Sequence, residues 1–501
     1  MAGPVPELED RATRCATRLC DADRVLLASH IDADGLTSAA IAASALERAE
    51  IPFETVFEKQ LDETAIAEIA ATDYETVLFT DFGSGQLDII GEREDAGDFT
   101  PVIADHHQPA DRETEYHLNP LLFGINGASE LSGAGASYVL ARALAEVQLS
   151  AEETSADGDR TEPRSDGGIV TASGTSDARA DNRDLAALAV VGAVGDMQAS
   201  SGELHGANAK IVEEGVEAGV VETGTDLALY GKQTRPLPKL FEYATDVHIP
   251  GISNSEGGSL RFLDGLDLDL KQDGEWRRWS GLSNDEKQTV ASALVQRAVS
   301  KGVPASKIDQ LVSTAYVLPA EPVGTELRDA SEFSTLLNAT ARYERADVGL
   351  GVCLGDRGDA LERARKLLRD HRRNLSNGID LVTREGVTHE EHLQWFDAGD
   401  EIRETIVGIV AGMAMGNEGI SRSKPILALA VKNEDEVKVS SRGTHNLVRQ
   451  GLDLSVVMGE ASRAVGGDGG GHDVAAGATV PKGEEETFIE RADEIVGEQL
   501  S

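Results

Sequence analysis

Three apolar segments in the first hundred or so residues each end directly at a stretch rich in aspartate or histidine. The segments are Val25–Ala28, Thr76–Phe79 and Pro101–Ala104. Short β-branched runs of this kind, alternating with helical patterns such as Leu36–Ala49, are typical of buried strands in a parallel sheet with helices on its faces. Ligands bind such sheets at the carboxyl ends of the strands. We therefore expect an open parallel sheet whose polar side chains meet in one cleft at that edge.

Four motifs carry those polar side chains, and the first three directly follow the predicted strands. The motifs are His30-Ile-Asp32-Ala-Asp34-Gly35, Asp81-Phe-Gly83, Asp105-His106-His107 and Gly192-Ala-Val-Gly-Asp196. Carboxylates held so close together repel each other and resist ionising, and divalent cations would remove that repulsion. Carboxylate and imidazole without thiolate favour Mn²⁺ or Mg²⁺ over a structural zinc, and two such ions about 3.5 to 4 Å apart commonly hydrolyse phosphodiesters. A surface turn or a helix cap would explain one motif equally well, but four in register favour a metal centre.

With these motifs the sequence resembles the DHH phosphoesterases, a family named for the triplet found here at Asp105–His107. It is most similar to the RecJ-like single-strand nucleases of archaea, including the type associated with the GINS replication complex. The resemblance covers roughly residues 20–480. It includes the run Gly469–Gly477, typical of a DHHA1-type accessory domain, and the less specific stretch Leu327–Arg342.

The resemblance implies two divalent cations, with Mn²⁺ preferred or Mg²⁺. Its metal ligands would be His30, Asp32, Asp34, Asp81, His106 and Asp196, with Asp81 bridging both ions. Its catalytic group would be Asp81, Asp105, His106 and His107, in which Asp105 and His107 are either ligands or groups that orient them. Bacterial RecJ enzymes usually have aspartate where this chain has His30, which leaves the preferred metal open.

Two further sets of residues are predicted to bind substrate. The first set is Arg442, Gly470, Gly471 and His472, since a glycine run lets backbone amides approach a phosphate. A flexible loop is the alternative for the glycine run alone. The second set is Arg365 and Arg369, on a basic segment that reads as helix and could track a nucleic-acid backbone. A solvated face paired with Glu362 and Asp370 is the alternative there.

The charge of the chain conflicts with nucleic-acid binding at ordinary salt. The sequence has 88 acidic and 46 basic residues, a net charge of −42, whereas phosphate binding depends on lysine and arginine. Molar intracellular salt would resolve the conflict, because it screens charge within about 3 Å and favours an acidic, hydrated surface. The alternative is a basic protein partner. The acidic residues are spread along the whole chain, which favours the salt of a halophile.

The predicted architecture is α/β with three regions. Residues 1–235 would form a DHH catalytic domain with an open parallel sheet and flanking helices, interrupted by an acidic disordered insert at 150–184. Residues 236–344 would form a mostly helical connecting or inserted region, with the clearest helix at Ser283–Val299 behind an S-x-x-E capping box. Residues 345–501 would form a smaller α/β DHHA1-type domain. Its expected strands are Val348–Cys353, Ile426–Val431 and Val437–Val439, and the active cleft would lie between the two α/β domains.

The predicted function is that of a metal-dependent phosphodiesterase, a RecJ-like exonuclease acting on single-stranded DNA or RNA in DNA replication or repair. GINS or other replication proteins are possible partners. The alternatives are an oligoribonuclease or cyclic-dinucleotide phosphodiesterase, and a non-catalytic replication-complex factor of the same fold. The sequence has no G-x-S-x-G elbow and no G-x-x-x-x-G-K-[ST] loop, which disfavours a serine hydrolase and a P-loop NTPase. Without an apolar run of about 18 residues, we expect a cytoplasmic protein that does not bind a membrane.

Overall fold

The structure is a computed structural model that describes residues 3–157, 180–244, 247–417 and 419–500. The chain divides into two compact units, Met1–Ala364 and Arg365–Ser501. The domain boundaries predicted from the sequence, after residues 235 and 344, stay predictions. Within the described ranges, no helix has both the length and the apolar character needed to cross a bilayer.

A five-stranded parallel sheet forms the centre of the first unit. Its strands are β1 (Val25–His30), β2 (Phe53–Glu58), β3 (Thr76–Thr80), β4 (Thr100–Ala104) and β5 (His117–Leu118). They lie in the order β2-β1-β3-β4-β5, and every neighbouring pair is parallel. The chain adds β2 on one side of β1 and β3 on the other, so the topological switch point lies between β1 and β3. The three strands expected from the apolar segments are confirmed.

Helices cover both faces of this sheet. They are α1 (Glu9–Cys20), α2 (Ala33–Arg48), α3 (Glu63–Ala70), α4 (Leu87–Ala96), α5 (Gly133–Asp157), α6 (Ala186–Gly195) and α7 (Gly206–Glu217). Alternate residues of β1 face opposite sides: Leu27 belongs to a core with α1, α2 and α5, and Leu26 to a core with α3 and α4. Burial on both faces explains why the strands are apolar throughout instead of alternating with polar residues.

The predicted disordered insert at 150–184 is described only at its two ends. Helix α5 continues to Asp157, so the first part is helical, because the sequence there continues with strong helix formers. Residues 158–179 lie outside the described residues. At the far end Asp184 pairs with Arg48 of α2, with Oδ1 and Nη1 2.7 Å apart, which anchors the returning chain to the sheet domain.

The middle of the chain is mainly helical but also contains two short ribbons. Its elements are β6 (Glu222–Leu227), α8 (Leu237–Glu242), α9 (Glu256–Asp264), β7 (Lys271–Gln272), β8 (Glu275–Trp276), α10 (Asn284–Ser300), α11 (Ala305–Asp309) and β9 (Val312–Val317). Strand β6 pairs with β9, and β7 with β8, both antiparallel. Helix α10 confirms the predicted capping box, since Ser283 Oγ accepts from Glu286 N at 3.3 Å and the Glu286 carboxylate accepts from Ser283 N at 2.7 Å.

Two helices, α12 (Ala330–Arg342) and α13 (Ala346–Cys353), follow the β9 strand. The prediction of a strand at Val348–Cys353 was therefore wrong. A short apolar run has no period that separates a strand from a buried helix. Packing decides the matter here: a Cβ on Gly349 would lie 2.6 Å from both Leu36 Cδ1 and Thr340 Oγ1, so glycine allows α13 to lie directly against α2 and α12.

The second unit contains a six-stranded mixed sheet. The elements from its boundary onward are α14 (Asp359–Glu385), β10 (Thr388–His389), β11 (Gln394–Asp397), α15 (Glu404–Ala414), β12 (Ile426–Val431), β13 (Glu436–Arg442), α16 (His445–Arg449), α17 (Leu454–Ala464), β14 (Asp468–Gly471), β15 (Ala475–Pro481) and α18 (Glu485–Leu500). The sheet order is β10-β11-β12-β13-β15-β14. The predicted strands at Ile426–Val431 and Val437–Val439 are confirmed, and the second continues to Arg442.

Candidate functional site

The four motifs of the first unit converge at the switch point of the parallel sheet. The eight side chains are His30, Asp32, Asp34, Asp81, Asp105, His106, His107 and Asp196. They form three overlapping groups in which one donor atom from each residue lies within 4.8 Å of the others. The groups are His30/Asp32/Asp81, Asp34/His106/Asp196 and Asp81/Asp105/His106/His107. Asp81 and His106 each belong to two groups, so the three clusters form one continuous site.

Asp81 lies at the centre of this site, directly after β3. Its side chain is only 2% exposed, with Oδ1 3.3 Å from His106 Nε2 and Oδ2 3.5 Å from His30 Nδ1. Its φ of 60° is left-handed, a conformation that aspartate adopts more readily than most residues. Oδ1 is buried and accepts no hydrogen bond from any described residue. Since an unsatisfied buried oxygen costs about 1–3 kcal/mol, and more when charged, the donor set and this oxygen fit a divalent cation.

Asp34 is held at the start of helix α5. Its Oδ2 accepts from Gly133 N at 2.7 Å and its Oδ1 from Ala134 N at 3.0 Å, where the helix carries partial positive charge. A Cβ on Gly133 would lie 2.3 Å from Asp81 Oδ1, so only glycine fits there. Burial, followed by the charges of Asp81 and Asp196, raises the pKa of Asp34 well above its usual range. Sequence reasoning missed Gly133, whose only signal is a glycine at a helix start.

His106 is oriented by a backbone carbonyl. Its Nδ1 lies 2.7 Å from Gly127 O and must donate, because a carbonyl only accepts. Nε2 therefore faces Asp81 and Asp34, the latter with Oδ2 at 3.8 Å. Gln198 Nε2 donates to the same Gly127 carbonyl and to Asp196 Oδ2, both at 2.8 Å. Such outer partners fix the ligands of metal sites, and neither Gly127 nor Gln198 was predicted.

Asp105 and His107 form a second hydrogen-bonded pair at 2.8 Å between Oδ1 and Nδ1. Asp105 also accepts from Ser84 N at 2.9 Å and His106 N at 2.7 Å, so both of its oxygens are engaged. This favours an orienting role for Asp105 over ligation. Asn119, which was not predicted, donates from Nδ2 to His107 O and Ser84 Oγ, each at 2.8 Å, and ties the triplet to the loop after β3.

The carboxylates create a strongly negative potential at the imidazoles. Burial alone would lower the pKa of His30, but Asp32 and Asp81 outweigh it and raise that pKa to about 10. Burial is likewise outweighed at His106, where Asp81 and Asp34 raise the pKa to about 11. Burial would raise the pKa of Asp32, yet hydrogen bonding to His30 lowers it to about 2. Without metal, the two histidines therefore carry protons on nitrogens that could bind a metal ion, and metal binding would release those protons.

The predicted phosphate contacts of the second unit gather at one end of a β-hairpin. The glycine run is not a loop, because Gly470 and Gly471 belong to edge strand β14, paired with β15. A Cβ on Gly471, whose φ is 143°, would lie 2.7 Å from Ala476 Cα, so glycine is needed there, whereas a Cβ on Gly470 would meet nothing within 4 Å. His472 occupies the exposed turn, with its N donating to Ala475 O at 2.8 Å. Arg442 pairs in register with Ala475, so the ladder places it beside this turn.

The basic segment is confirmed as part of helix α14. Arg369 is exposed and Arg365 half-buried. Part of the positive charge on this helix is paired within it, since Arg363 bonds to Asp359 at 2.9 Å and Arg373 to Asp370 at 2.8 Å. Arg373 thus pairs with Asp370, one of the two acidic residues named in the solvated-face alternative, and Arg363 pairs with Asp359. A nucleic-acid track at Arg365 and Arg369 stays a prediction.

The fold and the site define an α/β protein with a carboxylate- and imidazole-rich candidate metal site at the switch point of its parallel sheet, followed along the chain by a second α/β unit. Residues 24–159 match the DHH family, N-terminal domain; residues 229–312 match the DHH-CID domain; residues 392–498 match the DHHA1 domain. An uncharacterized protein of Methanocaldococcus jannaschii is 30% identical over 482 residues, which is 94% of this chain and 93% of that protein. The chain belongs to the DHH family.

Solved structures agree with this fold. RecJ of Thermus thermophilus in complex with Mn²⁺ has a TM-score of 0.57 and 16% identity over 99% of this chain, which spans 56% of the length of that RecJ. A manganese-bound exonuclease RecJ has a TM-score of 0.56 and 16% identity, covering 99% of this chain and 96% of its own. CDC45 of Entamoeba histolytica has a TM-score of 0.62 and 12% identity, covering 98% of each chain. At these identities the similarity concerns the fold alone.

Proposed function

We propose that the chain is a metal-dependent phosphodiesterase that digests single-stranded nucleic acid from an end, in DNA replication or repair. Asp81 carries the proposal. It is a buried carboxylate shared by two of the three ligand groups, and one of its oxygens accepts no hydrogen bond from any described residue. All four motifs retain their acidic and histidine side chains, whereas a member that had abandoned hydrolysis would be expected to have lost ligands.

The proposed metal ligands are those implied by the family resemblance: His30, Asp32, Asp34, Asp81, His106 and Asp196. Two divalent cations, Mn²⁺ by preference or Mg²⁺, would supply positive charge to a phosphate and activate a water. Similar RecJ structures contain manganese in two cases and Mg²⁺ in a third, which supports a divalent cation of this kind.

His107 is proposed to act on the phosphate from beside the metal ligands. The Asp105 carboxylate accepts from Nδ1 and so turns Nε2 away from Asp105. Hydrogen bonding to Asp105 also raises the pKa of His107, although burial opposes it, so the ring tends to hold a proton that a phosphate oxygen can accept. The His107 side chain is 55% exposed, which leaves it accessible to a substrate. Asp105 in this proposal positions His107 and the loop, and does not bind metal.

Single-stranded DNA or RNA is the proposed substrate, with GINS or other replication proteins as possible partners. Arg442, Gly470, Gly471 and His472 would contact phosphates, and Arg365 and Arg369 would contact the strand further along. The net charge of −42 supports activity in molar salt. The fold similarity to CDC45 over 98% of both chains is the observation on which we retain a second candidate, a member of the fold that binds without hydrolysing.

The test is hydrolysis of DNA and RNA strands labelled at one end or the other, in high KCl with Mn²⁺ or Mg²⁺. We expect stepwise shortening by the wild-type chain and none by Asp81→Asn. Asp88→Asn, at an exposed aspartate of helix α4, is the matched control and should remain active. Strand binding without hydrolysis under every metal condition would favour the second candidate. Full activity of Asp81→Asn would overturn the proposed centre.

A further inference from the structure

A cavity of about 220 Å³ lies in the first unit and shares a turn with the candidate metal centre. Its walls are the turn after α6, the segment that follows β6, strand β9 and the start of α12. Met197 is part of the wall and directly follows Asp196, so their Cα atoms are about 3.8 Å apart. The predicted motifs and the proposed chemistry make no use of this cavity.

The charge of the cavity disfavours a phosphate group, and its size suits a small ligand. Its volume equals that of roughly seven waters at about 30 Å³ each, below the about 300–1,000 Å³ of pockets for drug-sized ligands. Lys232 is its one cationic lining residue, and its Nζ lies 3.5 Å from Asp226 Oδ2 and 3.5 Å from Asp329 Oδ2. Because two carboxylates face the single ammonium group, the wall carries no net positive charge, and the cavity suits a neutral group about the size of one heterocycle.

The lining combines apolar walls with a buried polar pair. Leu229 and Tyr316, which are 5% and 6% exposed, and Tyr230, whose ring lies 4.8 Å from the Arg235 guanidinium carbon, form these apolar and aromatic walls. Lys232 and Asp329 are 8% and 5% exposed, and place a donor beside an acceptor. Lysine donates to carbonyl and ring-nitrogen acceptors of bases, and aspartate accepts from their amino groups. The pair therefore complements a base edge on which a carbonyl adjoins an N–H group.

Met197 is the left-handed residue of the cap that ends helix α6, with Gln198 N donating to Ala193 O at 3.1 Å and Met197 N donating to Val194 O at 3.2 Å. Its φ is 61° and its side chain is 71% exposed. In the same turn Gln198 bonds to Asp196, so the turn joins the cavity wall to the metal centre. A ligand in the cavity and a phosphate at the centre would thus contact consecutive residues.

We propose that this cavity binds one nucleobase of the strand whose phosphodiester is hydrolysed at the metal centre. The identity of the ligand rests on the proposed function. Base occupancy orients the strand through Met197 and the Lys232–Asp329 pair, so it contributes to substrate binding and not to the chemical step.

The first test measures nucleoside binding without metal. Guanosine, uridine, ribose and inorganic phosphate are titrated into the full chain in high KCl with EDTA, and contact is read by ligand-observed NMR. Ser200→Trp fills the cavity from its exposed rim, and Ser201→Trp is the matched control at the neighbouring exposed serine, which does not line it. We expect the wild type and Ser201→Trp to bind nucleosides but neither ribose nor phosphate, and Ser200→Trp to bind at least about tenfold more weakly. No nucleoside binding by the wild type, or unchanged binding by Ser200→Trp, overturns the proposal.

A second variant guards against misfolding of Ser200→Trp. Met197→Gly relieves the positive φ and removes a wall of the cavity. It should fold at least as well as the wild type and weaken nucleoside binding in the same direction. If Met197→Gly binds nucleosides as tightly as the wild type, Met197 does not contact the base and the proposal is wrong.

The second test separates this inference from the proposed function. Strands with abasic residues near the digested end are hydrolysed in Mn²⁺, and their KM is compared with that of intact strands. In the wild type the KM of the abasic strands should be higher by about tenfold or more. In Ser200→Trp the two KM values should be nearly equal. Hydrolysis with no abasic effect overturns the cavity alone. Nucleoside binding in EDTA by a chain that hydrolyses nothing supports the cavity and overturns the phosphodiesterase.

Discussion

Asp81→Asn is the change that examines the metal centre most directly. Asparagine has nearly the shape of aspartate and tolerates the left-handed backbone at φ 60°, so the fold should be preserved. The substitution removes negative charge from two ligand groups at once. We expect the variant to lose both hydrolysis and the stabilisation that Mn²⁺ gives to the folded chain.

The magnitude follows from the linkage between binding and folding. A ligand at 100 times its Kd raises the free energy of unfolding by about 2.7 kcal/mol. Mutation of residues that only orient metal ligands weakens metal binding about 10- to 100-fold, and loss of a ligand should do at least as much. After a 100-fold loss the same Mn²⁺ concentration equals Kd, where the gain is about 0.4 kcal/mol. The Mn²⁺-dependent stabilisation should therefore fall by about 2.3 kcal/mol.

The assay is denaturant unfolding in high KCl, with EDTA and with Mn²⁺, for the wild type, Asp81→Asn and the exposed control Asp88→Asn. End-labelled strands are hydrolysed in parallel. A full Mn²⁺ gain in Asp81→Asn would refute the ligand assignment. An equal loss in Asp88→Asn would show that general charge, and not this site, determines the effect.

Three further predictions concern protons, salt and the second unit. At about pH 8 Mn²⁺ binding should release protons, because His30 and His106, with pKa values of about 10 and 11, are protonated without metal and must become neutral to bind it. Calorimetry in buffers of different ionisation enthalpy measures the number of protons released. Mn²⁺ binding without proton release would contradict the prediction. In EDTA the contribution of the protonated histidines to the free energy of unfolding should be complete below about pH 6.5 and should decline as pH rises through about 10. Dilution of KCl to about 0.1 M lengthens the screening distance to about 10 Å and should lower the thermal midpoint; a flat or rising midpoint would favour a basic partner. His472→Ala should raise KM about tenfold to a hundredfold and leave the stabilisation by Mn²⁺ intact, since a charge-assisted hydrogen bond to phosphate contributes about 1.5–3 kcal/mol. The exposed control His389→Ala should leave KM unchanged. Loss of Mn²⁺ binding in His472→Ala would show that His472 is a metal ligand.

Most of the elements that position the candidate metal site could be predicted without a structure. The three apolar strands, helix α2 and the helix that ends directly before Asp196 lie where their patterns indicated. The reason is local: a strand buried on both faces needs a continuous apolar run, and a motif directly after it must lie at the carboxyl edge. The β6–β9 ribbon was missed because the sequence of β6, Glu-Thr-Gly-Thr-Asp-Leu, has almost no apolar residues.

The sequence by itself thus determined the parallel sheet, the kind of donor atoms and the edge where they meet. Tertiary structure alone decided that Gly127 and Gln198 orient His106 and Asp196, that Gly133 lets helix α5 reach Asp34, and that Val348–Cys353 is a helix. It also decided that a cavity opens beside Met197. These features depend on contacts between segments far apart in the chain, where close packing selects among conformations that each segment could adopt alone.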